Sequence, residues 1–313
     1  MLAILGASSP GCAPEGEPGS SPSEQTPAQE TPQPVGLAAM GGDPAAFLDR
    51  YDGTGYRFLV GGHTYGAHDA PASGLFEPLR LAWEVPGAIE GARFVVLCGD
   101  AVVNPHPDRF ADLDQDLAEL GLPVFLAPGN HDSLRKPGSP DVISLRYQKR
   151  RLAFRYGPDA YIVGDTASGG GNVAAKDLED LKAMLARKPR ALFLFLHHLV
   201  WIDEDKVARG EAEASSVNGL VGYAQKGNFD DVVLPLLKEA NTQSFVFAGD
   251  LGAGSAAVQF FEKRADNVHL IAGGMGEHPK VGVYHSVVVF SDGVQIEVCW
   301  LKGGKREKHW VGF

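Results

Sequence analysis

The chain contains 313 residues, which is enough for one large domain or two small ones. Its formal net charge is −11 and its basic runs are short, which argues against a nucleic-acid partner. No apolar run approaches the roughly 18 residues of a transmembrane helix, so none is predicted. The three cysteines, Cys12, Cys98 and Cys299, are an odd number, which argues against a disulfide framework.

The N-terminus resembles a lipoprotein signal. Met1–Ala7 is apolar, and Gly11 precedes Cys12, the residue that would carry the lipid. No positively charged segment comes before, which a start codon placed too far downstream would explain. We expect residues 1–12 to be a truncated signal, with export and attachment to a bacterial membrane through Cys12, at the periplasmic or cell surface. The alternative is a disordered cytoplasmic tail.

Residues 13–43 are rich in Pro, Glu, Ser and Gly and are predicted to form a disordered linker. The folded domain is expected to occupy residues 44–313, where apolar strand-like and helix-like patterns alternate. In chain order these are a strand at 56–60, a helix at 75–85, a strand at 94–98, a helix at 110–120, a strand at 123–128, a hairpin at 153–163, a helix at 177–185, a strand at 191–196, a helix at 230–240, and strands at 244–248, 268–272, 286–290 and 294–300.

Polar residues follow two neighbouring strands in this series. Gly99 and Asp100 follow the strand at 94–98, and the tetrapeptide Gly129–Asp132 follows the next one. A helix lies between them, which predicts a βαβ unit with parallel strands. Asp100 and Asn130 would then lie side by side at the carboxyl edge of the sheet, where open α/β sheets bind ligands. Their oxygens suit a divalent metal, and His131 could reach the same cavity as a proton donor.

With these residues the chain resembles the calcineurin-like metallophosphoesterases. Their strand ends carry Asp-x-His, Gly-Asp, Gly-Asn-His-Asp/Glu, a lone His and Gly-His-x-His, and Gly129–Asp132 matches the third motif intact. The other correspondences are partial. In the first motif His63 is present, but Gly61 replaces the Asp. His197 of the pair His197-His198 matches the lone His, and Asp250 and Gly252 replace the two histidines of the last motif.

The resemblance implies an α/β fold, a four-layer α/β/β/α sandwich of two mixed β-sheets. It also implies two metal positions that share Asp100. One keeps a full set of ligands, Asp100, Asn130, His197 and Asp250, whereas the other keeps only His63 and Asp100. We therefore expect one divalent ion, Mn, Fe, Mg or Zn, and we expect Gly61→Asp with Gly252→His to rebuild the second position.

The expected catalytic residues are His131, which would protonate the leaving group, Asp132, which would orient it, and His63. The predicted function is hydrolysis of a phosphomonoester or phosphodiester, with a phosphate-ester small molecule as partner and membrane contact only through a lipid on Cys12. The alternative is a non-catalytic protein that uses the same fold to bind a phosphate-bearing ligand or a protein. Gly61 and Gly252 favour the alternative, whereas Asp100 and Gly129–Asp132 favour the enzyme.

Overall fold

The computed structural model describes residues 36–44, 48, 51–67, 71–133, 141–202, 227–253, 257–276 and 281–313. The predicted signal at residues 1–12, including Cys12, lies outside this part of the chain. A short 3-10 helix, Leu37–Gly41, buries Leu37 and Met40 in the main core. The packed part of the chain therefore begins within the segment that was predicted to be linker, because these apolar residues have a place against the sheet.

Twelve strands of the described residues form two six-stranded sheets. Sheet one contains β1 (Tyr56–Gly61), β2 (Ala92–Leu97), β3 (Val124–Leu126), β10 (Val283–Val289), β11 (Gly293–Trp300) and β12 (Arg306–Gly312), in the order β12-β11-β10-β1-β2-β3. Sheet two contains β4 (Leu152–Tyr156), β5 (Asp159–Val163), β6 (Ala191–Phe195), β7 (Gln243–Ala248), β8 (Gln259–Ala265) and β9 (Val268–Gly273), in the order β4-β5-β6-β7-β9-β8. Strands β1, β2 and β3 are parallel, as are β5, β6, β7 and β9, whereas the remaining pairs are antiparallel.

Helices cover the outer faces of both sheets. They are α1 (Glu77–Glu84), α2 (Pro107–Glu119), α3 (Asn130–Ser133), α4 (Val142–Tyr147), α5 (Ala175–Ala186) and α6 (Leu234–Glu239), the last preceded by a π-helical turn, Phe229–Val233. Leu79 of α1 and Phe110 of α2 are buried in the same core as sheet one, and Leu181 of α5 and Leu237 of α6 are buried with the outer face of sheet two. The predicted four-layer sandwich of two mixed sheets is confirmed.

Aromatic rings fill the space between the two sheets. Phe58 of β1 stacks on Phe94 of β2 with ring centroids 5.1 Å apart, and its edge meets Phe193 of β6 at 5.2 Å. Tyr161 of β5 joins the same cluster, 5.8 Å from Phe58. Because Phe58 is fully buried and contacts both sheets, it holds together the two layers whose strand ends carry the polar residues.

Two edge strands, β8 and β12, were not predicted from the sequence. β8 reads QFFEKRA and β12 reads REKHWVG, and most of their residues are partly or fully exposed. A strand that buries little of its surface carries charged residues on the solvent side, so it lacks the apolar run that identifies the inner strands.

Within the described residues, no helix is both long enough and apolar enough to span a membrane.

The substitution Phe58→Ala tests the inter-sheet core. It should lower the free energy of unfolding by about 3–5 kcal/mol, since it leaves a cavity that four neighbouring rings cannot fill. Leu81→Ala is the matched control, because Leu81 is 49% exposed on α1 and its removal should change stability by less than about 0.5 kcal/mol. Urea unfolding followed by circular dichroism measures both. Equal stability losses for the two variants would contradict this account of the core.

Candidate metal centre

Five of the predicted site residues converge at the carboxyl ends of the strands. His63 follows β1, Asp100 follows β2, Asn130 follows β3, His197 follows β6 and Asp250 follows β7. His197 Nε2 lies 3.0 Å from Asn130 Oδ1, 3.4 Å from Asp100 Oδ1 and 3.8 Å from Asp250 Oδ1. His63 Nδ1 lies 3.3 Å from the other Asp100 oxygen, Oδ2. Both sheets therefore contribute to one polar cluster in which all but Asn130 are buried.

The backbone around Asp100 is shaped by two glycines. Gly99 and Asp100 both adopt left-handed conformations, with φ values of 76° and 51°. A Cβ on Gly99 would lie 2.4 Å from His197 Nδ1, and one on Gly129 would lie 2.2 Å from Asp100 Oδ1. Only glycine at these two positions lets the loops approach closely enough for Asp100, Asn130 and His197 to meet.

His197 is the residue of the cluster that both Asp100 and Asp250 face. Its Nδ1 is 3.0 Å from the main-chain oxygen of Cys98, which fixes the ring, and its Nε2 faces the carboxylates. Burial opposes a charge on the ring, but Asp100 and Asp250 outweigh burial and raise the pKa of His197 to about 10. In return, His197 and His63 hold the pKa of Asp100 well below its ordinary value despite complete burial.

His63 occupies a different electrostatic setting. Neither of its ring nitrogens makes a hydrogen bond with correct geometry within the described part of the chain, although Asp100 is 3.3 Å away. Burial lowers the pKa of His63 and outweighs the neighbouring Asp100 carboxylate, which raises it, so the ring is neutral near pH 7. A buried neutral imidazole without a hydrogen bond is available to a ligand of the site.

His131 and Asp132 lie beside the cluster, but Asp132 does not have the role that was predicted. Its two carboxylate oxygens accept hydrogen bonds from the backbone N–H groups of Ala101, Val102 and Gly129, at 2.8–3.0 Å. His131 is oriented instead by the carbonyl oxygen of Val103, 2.9 Å from its Nδ1. Asp132 therefore fixes the loop that follows Asp100, and the prediction that it orients His131 is wrong.

Two aspects of the cluster were missed in the sequence. Tyr65 packs between the rings of His63 and His131, with centroids 4.3 Å and 5.2 Å away, and no motif pointed to it. His198 is buried beside His197, and its Nδ1 lies 2.8 Å from Thr166 Oγ1. The doubled histidine was the available signal, but the resemblance favoured only His197 as a ligand.

The donor atoms fit a divalent cation. In the described part of the chain, two groups of three side chains have possible ligand atoms within 4.8 Å of one another: His63 with Asp100 and Asp250, and His197 with His198 and Asp250. Asn130 adds an amide oxygen next to His197. Carboxylate, amide and imidazole donors at this spacing suit Mn, Fe or Zn, and the carboxylates alone suit Mg. Two buried carboxylates also need a positive charge, which a metal supplies.

Gly61 and Gly252, which stand where the family has metal ligands, leave little room for a larger side chain. A Cβ on Gly61 would contact Thr64 at 3.2 Å and Leu79 and Leu97 at 3.7 Å, which places it among apolar side chains. A Cβ on Gly252 would lie 2.0 Å from the carbonyl oxygen of Met275, and its φ of 108° is one that other residues rarely adopt. The expectation that Gly61→Asp with Gly252→His rebuilds a metal position is therefore wrong.

The double variant Gly61→Asp, Gly252→His should instead destabilise the protein and bind no additional metal. The new carboxylate would be placed against Leu79 and Leu97 without a partner, and the new imidazole would collide with main chain. Thermal unfolding and metal analysis of the purified variant measure these effects. Gly53→Ala is a control, because a Cβ there meets no atom within 4 Å, although its φ of 85° adds some strain. A gain of one metal equivalent by the double variant would contradict the prediction.

Comparisons with known proteins agree with the fold. No family model matches the chain. A 104-residue stretch is 27% identical to a probable cyclic nucleotide phosphodiesterase of Fibrobacter succinogenes, covering 33% of this chain and 41% of that protein. The chain therefore spans well under half the length of the curated relative it matches.

Two solved structures share the fold at low sequence identity. A dimetal phosphatase from Danio rerio matches with a TM-score of 0.54 and 12% identity, over 82% of this chain and 99% of that one. GAP50, the anchor in the inner membrane complex of Plasmodium, matches with a TM-score of 0.54 and 15% identity, over 83% and 89%. The chain therefore has the fold that the resemblance to the calcineurin-like metallophosphoesterases implies.

Proposed function

We propose that this chain is a metal-dependent phosphoesterase that uses one divalent ion to hydrolyse a phosphomonoester or phosphodiester of a small molecule. The observation that supports it is the convergence of Asp100, Asn130, His197 and Asp250 on one buried point at the strand ends. The curated relative is named a probable cyclic nucleotide phosphodiesterase, which makes a phosphodiester the first substrate class to test.

The proposal of a single ion rests on charge and donor number. Asp250 belongs to both groups of possible ligands, and Asp100 lies within 3.4 Å of both His63 and His197. One divalent ion neutralises the two carboxylates and also takes Asn130 and His197. Among the described residues, a second ion beside His63 would have His63 and a share of Asp100 and Asp250, which is a weaker set than the one that includes Asn130 and His197.

The side chains around the ion have separate tasks. When bound, the ion supplies Lewis-acid chemistry at the phosphoryl group. His131 donates Nδ1–H to the carbonyl of Val103, so that Nε2 is the atom that would exchange a proton with the leaving group. His63, a neutral imidazole, would donate a hydrogen bond to a phosphoryl oxygen. Asp132 would act only by positioning the Ala101–Val102 backbone beside the site.

Asp250→Ala should abolish metal binding, because it removes one of the two carboxylates that neutralise the ion. His63→Ala should leave binding nearly intact, since the proposed ion does not use His63. Metal analysis after dialysis and titration calorimetry with Mn²⁺ measure both variants against the unmodified chain. Two metal equivalents in the unmodified protein would refute the single-ion proposal. His278 and Asp203, which lie outside the described residues, would then be the first additional donors to examine.

His131→Ala should reduce hydrolysis of bis-p-nitrophenyl phosphate by about 10²–10⁴-fold while leaving Mn²⁺ content unchanged, because it removes the proton donor and no ligand. His106→Asn is the control, since His106 is an exposed helix cap that asparagine can replace. Release of p-nitrophenol from the mono- and bis-esters is the assay.

Absence of hydrolysis with Mn, Fe, Mg and Zn would instead favour the alternative, a non-catalytic protein that binds a phosphate-bearing ligand or a protein partner.

Export and lipid attachment at Cys12 stay a proposal from the sequence, and the activity proposed for the site does not depend on them.

A further inference from the structure

The residue pair His198 and Thr166 lies directly against the proposed metal site and has no part in the function proposed above. Thr166 follows β5 and His198 follows β6, and these two strands are parallel neighbours. His198 is 3% exposed, and its ring meets the edge of the His197 ring with centroids 4.7 Å apart. We infer that His198, oriented by Thr166, is a further ligand of the ion held by His197 and Asp250, an inference that rests on the proposed function.

The geometry places a donor atom of His198 within binding distance of the site. Possible ligand atoms of His198, His197 and Asp250 all lie within 4.8 Å of one another. Two ligands of one ion, each about 2.1 Å from it, are separated by no more than about 4.2 Å when they lie on opposite sides. Three ligands around one ion lie about 3.4–3.6 Å apart, so movements of up to about 1 Å by these side chains would let all three bind one ion.

Thr166 makes the contact that a ligating histidine needs from its other nitrogen. Its Oγ1 lies 2.8 Å from His198 Nδ1 and also accepts the backbone N–H of His198 at 3.3 Å. A hydroxyl oxygen has two lone pairs, so it can accept both the backbone proton and the ring proton. In the tautomer that donates Nδ1–H to Thr166, Nε2 keeps the lone pair that a metal would take, the arrangement in which a hydrogen bond fixes the tautomer.

A second imidazole changes which metal the site prefers. Asp100, Asn130 and Asp250 provide oxygen atoms, which suit Mg²⁺ as well as Mn²⁺. Two histidines shift the preference toward the later transition metals, because imidazole binds Fe, Co and Zn better than it binds Mg. The inferred role of His198 therefore predicts selectivity, which a purely structural role for a buried histidine would not affect.

The test compares Co²⁺ and Mg²⁺ affinities of the full chain and three variants by titration calorimetry, with the visible absorption of bound Co²⁺ as a second readout. His198→Gln should weaken Co²⁺ binding about 100-fold, leave Mg²⁺ binding within about threefold, and shift the Co²⁺ spectrum. Thr166→Val should weaken Co²⁺ binding about tenfold, as loss of an orienting partner does. His269→Gln is the control: His269 is also buried, but on β9 beside Gln243, and its replacement should change neither affinity.

Circular dichroism and thermal unfolding establish that each variant is folded. If His198→Gln does not fold, Thr166→Val decides the matter, since valine keeps the shape of threonine and removes only its hydroxyl. Co²⁺ affinity and spectrum unchanged in the folded variants would overturn the role of His198 while leaving the proposed function in place. No binding of Co²⁺ or Mg²⁺ by the unmodified chain would overturn both.

Discussion

The burial of three carboxylates within one cluster is the constraint on which this structure depends. Asp100, Asp132 and Asp250 are each less than 5% exposed, and a buried negative charge is stable only with a cation or several hydrogen-bond donors. Asp132 accepts three backbone N–H groups. Asp100 accepts the backbone N–H of His131, and both Asp100 and Asp250 face the imidazole of His197. The sharp loops, the left-handed residues and the close glycines all serve to bring these partners within reach. A metal ion held by these groups would supply the positive charge that the buried carboxylates need.

The convergence of the site could be predicted from the sequence, because the carboxyl ends of parallel strands meet along one edge. Apolar runs located β1, β2, β3, β6 and β7, and the polar residues that follow these runs are the ones that converge. The role of Asp132 could not be predicted in this way. Its position next to His131 suggested contact between the two side chains, but adjacent residues point in different directions, and only the folded loop shows that backbone N–H groups surround it. The same limit applies to His198, whose contact with Thr166 joins residues 32 positions apart.

The alternation of side chains along β1 explains why an aspartate at position 61 would not reach the site, although the motif spacing predicted that it would. Phe58 points into the space between the sheets, so Val60 and Gly62 share that face, whereas Leu59 and Gly61 point toward the helices. Spacing from His63 selects Gly61 as the counterpart of the family aspartate, but the backbone directs a substituent there toward Leu79. The inward position, Gly62, is closed as well, because a Cβ would lie 2.3 Å from the carbonyl oxygen of Gly273. Main-chain atoms of the opposite sheet therefore occupy the space beside β1 that the side chain of a metal ligand would need.

This close approach of the two main chains affects both the space beside His63 and the packing around His197. The carbonyl of Gly62 accepts the N–H of Met275, and a Cβ on Gly249 would lie 2.0 Å from the carbonyl oxygen of Cys98, so the two sheets meet through glycines immediately below the site. Cys98 is also the residue whose carbonyl fixes His197. The packing that excludes side chains near His63 therefore holds His197 rigidly against Asp100 and Asp250. The same glycine contacts thus exclude larger side chains near His63 and hold His197 in place, which agrees with the single metal position proposed above.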